Sequence, residues 1–295
     1  MSPQLHTDEV PIDTGLVSRL VRDQFPDWAD LPIERIDSGG TVNAIFRMGT
    51  DLAARLPLAE WGVPAIETEF VWSPRLAPHL PLVVPIPIAR GRPGASYPFP
   101  WAVHRWLDGE MATDHTVPDL RRAATDVANF VKAFQGIDTA GAPANTHRGV
   151  PLVTADQATR AAIGQLSGVV DMETVTAAWE RALAAPDWER PPVWTHGDLW
   201  HSNLLAGDGR ITAVIDFGGV GVGDPAIDMI VAWSLLDADS RPVFRSELGV
   251  DDATWERGRG WAISMAAQAI PYYVDTNPII VQNGHRMIEA VLSNT

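Results

Sequence analysis

The chain has 295 residues, 46% of them hydrophobic, a formal net charge of -15 and no cysteine. That length admits two compact units or one large domain, with apolar content ample for a sizeable core. The acidic balance argues against a nucleic-acid backbone as partner; it favours a cationic small molecule, with an acidic surface that simply aids solubility as the alternative, while the missing cysteines exclude disulfides and Cys-based zinc sites.

Residues 13–25 place apolar side chains at helical spacing, so a helix opens the fold. The stretch 33–57 reads as three short strands, with breaks at Asp37-Ser38-Gly39-Gly40 and Gly49-Thr50-Asp51. A helix is expected over 65–77, where Pro74 should end or bend it. The Pro-rich segment 81–94 fits a strand with loop flanks, and 97–110 closes the strand-rich part with a turn at Asp108-Gly109. Beyond it, 119–136, 154–167, 171–185, 224–236 and 254–270 carry helical patterns. One β island interrupts them, residues 203–218, with a hairpin turn at Asp208-Gly209. The expectation is an α+β chain: a strand-rich unit over 1–108 and a helical unit over 109–295. No run reaches the ~18 apolar residues of a membrane span and no basic-then-apolar leader opens the chain, so a cytoplasmic protein is expected.

The segment "WTHGDLWHSNLL" (194–205) gathers His196, Asp198 and Asn203 just ahead of the hairpin, whose second strand ends at Asp216-Phe217-Gly218. A hairpin brings its ends together, so Asp198, Asn203 and Asp216 can converge. Two oxygen donors, Asn203 and Asp216, suit a hard cation such as Mg²⁺, which takes waters and phosphates as its remaining ligands. Asp198 is then free to accept a proton from a hydroxyl. The competing idea, a zinc hydrolase using His196, Asp198 and His201, lacks a third well-spaced His or Cys.

"HGDLWHSN" followed by "IDFGGVGVGDP" resembles the aminoglycoside phosphotransferase family, small-molecule kinases related to the protein kinases. The similarity extends over "FRMGTDLAARLP", "PWAVHRWLDGE" and "GWAISMAAQAIPYYVDTNP". It implies a two-lobed, protein-kinase-like fold in which Asp198 is the catalytic aspartate and Asn203 and Asp216 are Mg²⁺ ligands. His196 would brace the catalytic loop, and Asp224 would be structural. Trp200-His201-Ser202 stands where relatives often have His-Pro-Gly, which alters the pocket beside the base.

The resemblance also implies a nucleotide site, for ATP or GTP, in the N-terminal unit. Ser38-Gly39-Gly40-Thr41 matches the phosphate-covering loop, although a plain hairpin turn would look the same. Arg55 occupies the strand position where kinases use lysine. Lys132, the only lysine, falls on a helix of the other unit. Glu69 is the expected partner of Arg55, with Glu67 second; a solvated strand-end charge is the alternative. Arg105 and Leu107, in the hinge-like His104–Leu107, would meet the base through their backbone. Acidic candidates for the acceptor site are Asp228, Asp275 and Glu110. The implied activity is Mg²⁺-dependent phosphoryl transfer to a hydroxyl of a cationic acceptor such as an aminoglycoside-type antibiotic. The alternatives are a metabolic kinase of an amino alcohol or sugar, and a nucleotide-binding regulatory module that has lost transfer. Oligomeric state is open.

Overall fold

The structure, a computed structural model, describes residues 8–36, 40–168 and 170–293. The chain divides into two compact units: residues 1–78, 84–108 and 216–218 in the first, and 79–83, 109–215 and 219–295 in the second.

The first unit opens with helix α1 (Thr14–Gln24), capped by Asp13, whose side chain accepts the Leu16 N–H at 2.7 Å. Its Leu16, Val17, Leu20 and Val21 form one buried stripe. Five strands, β1 (Ile33–Ile36), β2 (Asn43–Met48), β3 (Leu52–Pro57), β4 (Pro87–Gly91) and β5 (Trp101–Arg105), make an antiparallel sheet in the order β1-β2-β3-β5-β4. Alternation along β2 and β3 turns Ala44, Phe46, Met48, Leu52, Ala54 and Leu56 into the same core as the α1 stripe. The odd positions of β3, Arg55 among them, therefore face the other side. Helix α2 (Val63–Leu76) buries Ile66, Glu69, Ser73 and Leu76 at helical spacing, so a carboxylate lies inside its buried stripe. Pro74 sits in the last turn and the helix stops two residues later.

In the second unit a three-stranded antiparallel sheet, β6 (Glu110–Met111), β8 (Leu204–Gly207) and β9 (Arg210–Val214), accompanies a two-stranded one of β7 (Val193–Thr195) and β10 (Gly221–Gly223). The β8–β9 turn is Asp208-Gly209, both residues at positive φ (51° and 75°), as a two-residue hairpin requires. Helices are α3 (Leu120–Gln135), α4 (Asp156–Gln165), α5 (Met172–Ala184), α6 (Val231–Ser234), α7 (Arg241–Leu248), α8 (Asp252–Tyr273) and α9 (Pro278–Leu292). α8 is buried on all sides for most of its length and packs against α4, α5 and α9. No helix among the described residues is long and apolar enough to cross a membrane.

Two expectations need correction. Residues 224–236 are not one α-helix: Pro225–Ile230 form a 3-10 turn and only Val231–Ser234 are α-helical. Every side chain of that turn is buried, so packing on all faces overrides helical propensity. α7 and α9 lie outside the helices expected from spacing. In α9 the Asn283-Gly284 pair has the look of a turn, yet a Cβ at Gly284 would come within 2.7 Å of Ile270, so the glycine admits a close α8–α9 approach.

Candidate active site

In the first unit Arg55 reaches two carboxylates at once. Its Nη1 donates to Glu69 Oε1 and its Nη2 to Asp216 Oδ1 at 2.8 Å. Arg55 is thus no solvated strand-end charge: its side chain is only 12% exposed. Burial opposes the guanidinium charge, but Glu69 and Asp216 outweigh it and hold Arg55 above its ordinary range. Burial pushes the Glu69 carboxyl up to about 6, against the pull of Arg55. Glu67, the second partner considered, pairs with Arg90 instead. Asp216 holds its backbone at φ 67°, a left-handed conformation that aspartate tolerates better than most side chains. His104 of β5 is buried, with Nε2 3.4 Å from Glu69 Oε2. Neither that oxygen nor either ring nitrogen has a hydrogen-bond partner among the described residues. Burial, reinforced by the Arg55 charge, lowers His104 to about 3, so the ring is neutral at pH 7.

The loop of the second unit that carries His196, Asp198 and Asn203 follows β7. The His196 and Gly197 N–H groups donate to Asp228 Oδ2 and Oδ1, both at 2.9 Å. His196 is fully buried; its Nε2 lies 2.9 Å from the Ile215 carbonyl and its Nδ1 accepts the Asp198 N–H at 3.3 Å. That pattern fixes the ring with the proton on Nε2. The loop then turns through His201–Asn203, and Asn203 Nδ2 donates to the Asp198 carbonyl at 2.8 Å. With its NH₂ committed there, Asn203 keeps its amide oxygen available for a cation. The Asp198 carboxylate is part-exposed, accepts from Arg148 Nη1 through Oδ1, and has Asn203 Nδ2 3.3 Å from Oδ2. Below the loop, Arg257 of α8 grips Asp224 with two bonds, Nε to Oδ2 at 2.6 Å and Nη2 to Oδ1 at 3.0 Å, both side chains buried.

Asp228 does not line an acceptor site. It is buried, and burial pushes its carboxyl up to about 6 despite the two backbone donors. Asp275 and Glu110 are exposed, and Lys132 is exposed on α3. Ser38 and Gly39 lie outside the described residues, while Gly40 is exposed and Thr41 half-buried. The Trp106 N–H donates to the Asp51 carbonyl, so strand alternation points the backbone groups of Arg105 away from β3. The zinc alternative has no ligand set: among the described residues no group of three His, Cys, Asp or Glu could hold a metal. His201 is buried and held down to about 4 by its burial and Arg286. Sequence reasoning missed Arg148 and the anchoring role of Asp228. Arg148 lies in a loop with no motif, and an aspartate in an apolar run reveals burial only once the run is seen to pack.

An antiparallel sheet unit with a buried Arg–Glu pair, and a helical unit with an aspartate-bearing loop ahead of a hairpin, define a protein-kinase-like phosphotransferase fold. Residues 33–261 match the family described as "Phosphotransferase enzyme family", and the chain belongs to it. It is 29% identical over 170 residues to an aminoglycoside 3′-phosphotransferase of Streptomyces fradiae, across 55% of this chain and 62% of that protein. Among solved structures it resembles the GDP and kanamycin complex of APH(2″)-IIia, with a TM-score of 0.74, 18% identity, and 95% and 99% of the two chains covered. It also resembles a macrolide 2′-phosphotransferase type I, with a TM-score of 0.64, 17% identity, and 96% and 99% covered.

Proposed function

We propose that this chain is a small-molecule kinase that transfers the γ-phosphoryl group of ATP or GTP to a hydroxyl of a cationic, aminoglycoside-like acceptor. The catalytic loop carries the reading: Asp198 is presented to solvent on a backbone anchored by buried His196 and Asp228. Asp198 takes the proton of the acceptor hydroxyl as its oxygen bonds to the γ-phosphorus, and the bond from phosphorus to the bridging oxygen breaks to release the nucleoside diphosphate. Asn203 and Asp216 would hold Mg²⁺, whose role is to neutralise phosphate charge; their oxygen donors suit a hard ion that completes its shell with water and phosphate. Arg55, held by Glu69, would bind the α- and β-phosphates. Gly40 and Thr41, with Ser38 and Gly39, would cover the phosphates, and the backbone of Arg105 and Leu107 would meet the base. In domain terms, residues 1–108 would form the nucleotide-binding lobe and 109–295 the catalytic and acceptor-binding lobe.

A cationic acceptor is supported by the net charge of -15 and by the kanamycin in the related complex. The test is a panel of aminoglycosides, macrolides, amino alcohols and sugars incubated with Mg²⁺ and ATP or GTP, read by mass spectrometry for gain of a phosphoryl group. Transfer confined to neutral sugars would overturn the cationic assignment. In the same assay Asp198→Asn should still bind nucleotide but lose ~10²–10⁴ in rate, the usual cost of removing a general base. A variant within a few-fold of wild type would show that Asp198 is not the base.

A further inference from the structure

We infer that residues 143–149 form a rigid strap whose purpose is to place Arg148 on Asp198, making Arg148 a positioning residue for the catalytic base. This rests on the phosphotransferase reading above and adds to it a residue from outside every motif. Arg148 Nη1 donates both to Asp198 Oδ1 and to the Gly197 carbonyl, the latter at 3.2 Å. The strap that carries it is tied down along its length. The Val222 N–H donates to the Pro143 carbonyl at 2.8 Å, the Asn145 N–H to the Val222 carbonyl at 3.0 Å, and the Asp224 N–H to the Gly149 carbonyl at 2.7 Å. Asn145 Nδ2 adds a bond to Thr195 Oγ1 at 2.8 Å.

Ala144 pairs with Val222 in parallel, while β10 pairs with β7 on its other side, and β7 runs directly into His196-Gly197-Asp198. Two ladders therefore fix the register of Arg148 against the loop it touches. The glycines of "GVGVGDP" serve the same end. A Cβ at Gly223 would stand 2.2 Å from the Gly149 carbonyl oxygen, so any side chain there would push the strap away. Gly149 itself holds φ at 70°, with Asn145 Nδ2 2.5 Å from where its Cβ would be. Glycine is needed there for the chain to turn tightly after Arg148.

An ion pair this exposed (side chains 46% and 32%) adds little to stability, so stability alone does not account for a strap held so closely. Its chemical effect is on the carboxylate. Arg148 occupies Oδ1 with a charge-assisted bond and Asn203 flanks Oδ2, so the group is held in one rotamer, with one oxygen left to meet the acceptor hydroxyl.

The experiment compares wild type, Arg148→Ala, Arg148→Lys and Gly149→Ala in the acceptor assay with Mg-ATP, together with their melting curves. Arg148→Ala should lose on the order of 10²-fold in kcat, the scale of a misplaced reacting group, with nucleotide KM almost unmoved. Its melting curve should match wild type, millimolar guanidinium should restore part of its rate but none of that of Asp198→Asn, and Arg148→Lys should fall between. Gly149→Ala, which disturbs the strap without touching the guanidinium, should also lose kcat. The inference is overturned if Arg148→Ala keeps wild-type kcat, if its defect lies in nucleotide KM, if guanidinium gives no rescue, or if it melts far below wild type. A wild-type chain inert toward every acceptor would instead overturn the phosphotransferase reading, and this inference with it; activity in wild type and Arg148→Ala alike overturns the inference alone.

Discussion

Arg55 uses the two ends of its guanidinium separately, one nitrogen for Glu69 and the other for Asp216. A lysine has one compact ammonium and cannot span the same pair of carboxylates in that geometry, though it preserves the charge. Arg55→Lys should therefore keep measurable transfer, whereas Arg55→Ala should raise nucleotide KM and lower kcat. Glu69→Ala should hurt similarly, and the double variant should cost less than the two singles together; strict additivity in steady-state kinetics would place the phosphate clamp elsewhere. Asp228 gives a residue-scale prediction in pH. Its folded-state carboxyl titrates at about 6 rather than the ordinary 3.8, because burial disfavours its charge. The folded chain thus holds a proton that the unfolded chain releases across that window. The stability this group contributes is full below the window and declines as pH rises through it, by on the order of 3 kcal/mol. Urea unfolding of wild type and Asp228→Ala should show a stability gap that shrinks from about pH 4 to about pH 7. A constant gap would show that Asp228 does not titrate there. Asp228→Ala should also lower kcat, since it orphans the two amides that hold the loop.

At the scale of elements, helix α8 is tied to the end of β10 by the buried Asp224–Arg257 pair. Removing one member leaves a buried charge unpaired. Arg257→Ala should therefore cost about 3–5 kcal/mol, measured as a lower unfolding midpoint, and the loss should exceed that of Arg160→Ala on the exposed Asp156 pair. Comparable losses would mean that the Asp224 contact is solvated in solution. The strands β1, β2, β3 and the β8–β9 hairpin were legible, because alternation and Asp-Gly turns are local signals. The 3-10 turn at Pro225–Ile230 was not, since a segment buried on all faces carries no periodicity to read.

For the whole molecule, the charge of -15 supplies a long-range attraction for cationic acceptors. Raising salt shortens the screening length from ~10 Å at 0.1 M to ~3 Å at 1 M, so kcat/KM for a polycationic aminoglycoside should fall with added salt. A neutral sugar measured alongside should change much less. Equal salt dependence for both would show that the net charge plays no part in capture.

The sequence by itself determined the α+β class, the strand-rich first unit, the β8–β9 hairpin, most of the helices, and the spacing of Asp198, Asn203 and Asp216, because each follows from neighbours a few residues apart. It also determined that Arg55, and not a lysine, would stand on β3. Tertiary structure alone decided that Asp216 joins the expected Glu69 on Arg55, that His104 abuts Glu69, that Asp228 anchors the loop, and that Arg148 holds Asp198. The reason is sequence distance. Arg148 and Asp198 are fifty positions apart, and nothing local to either residue records which side chain the folded backbone will set against it.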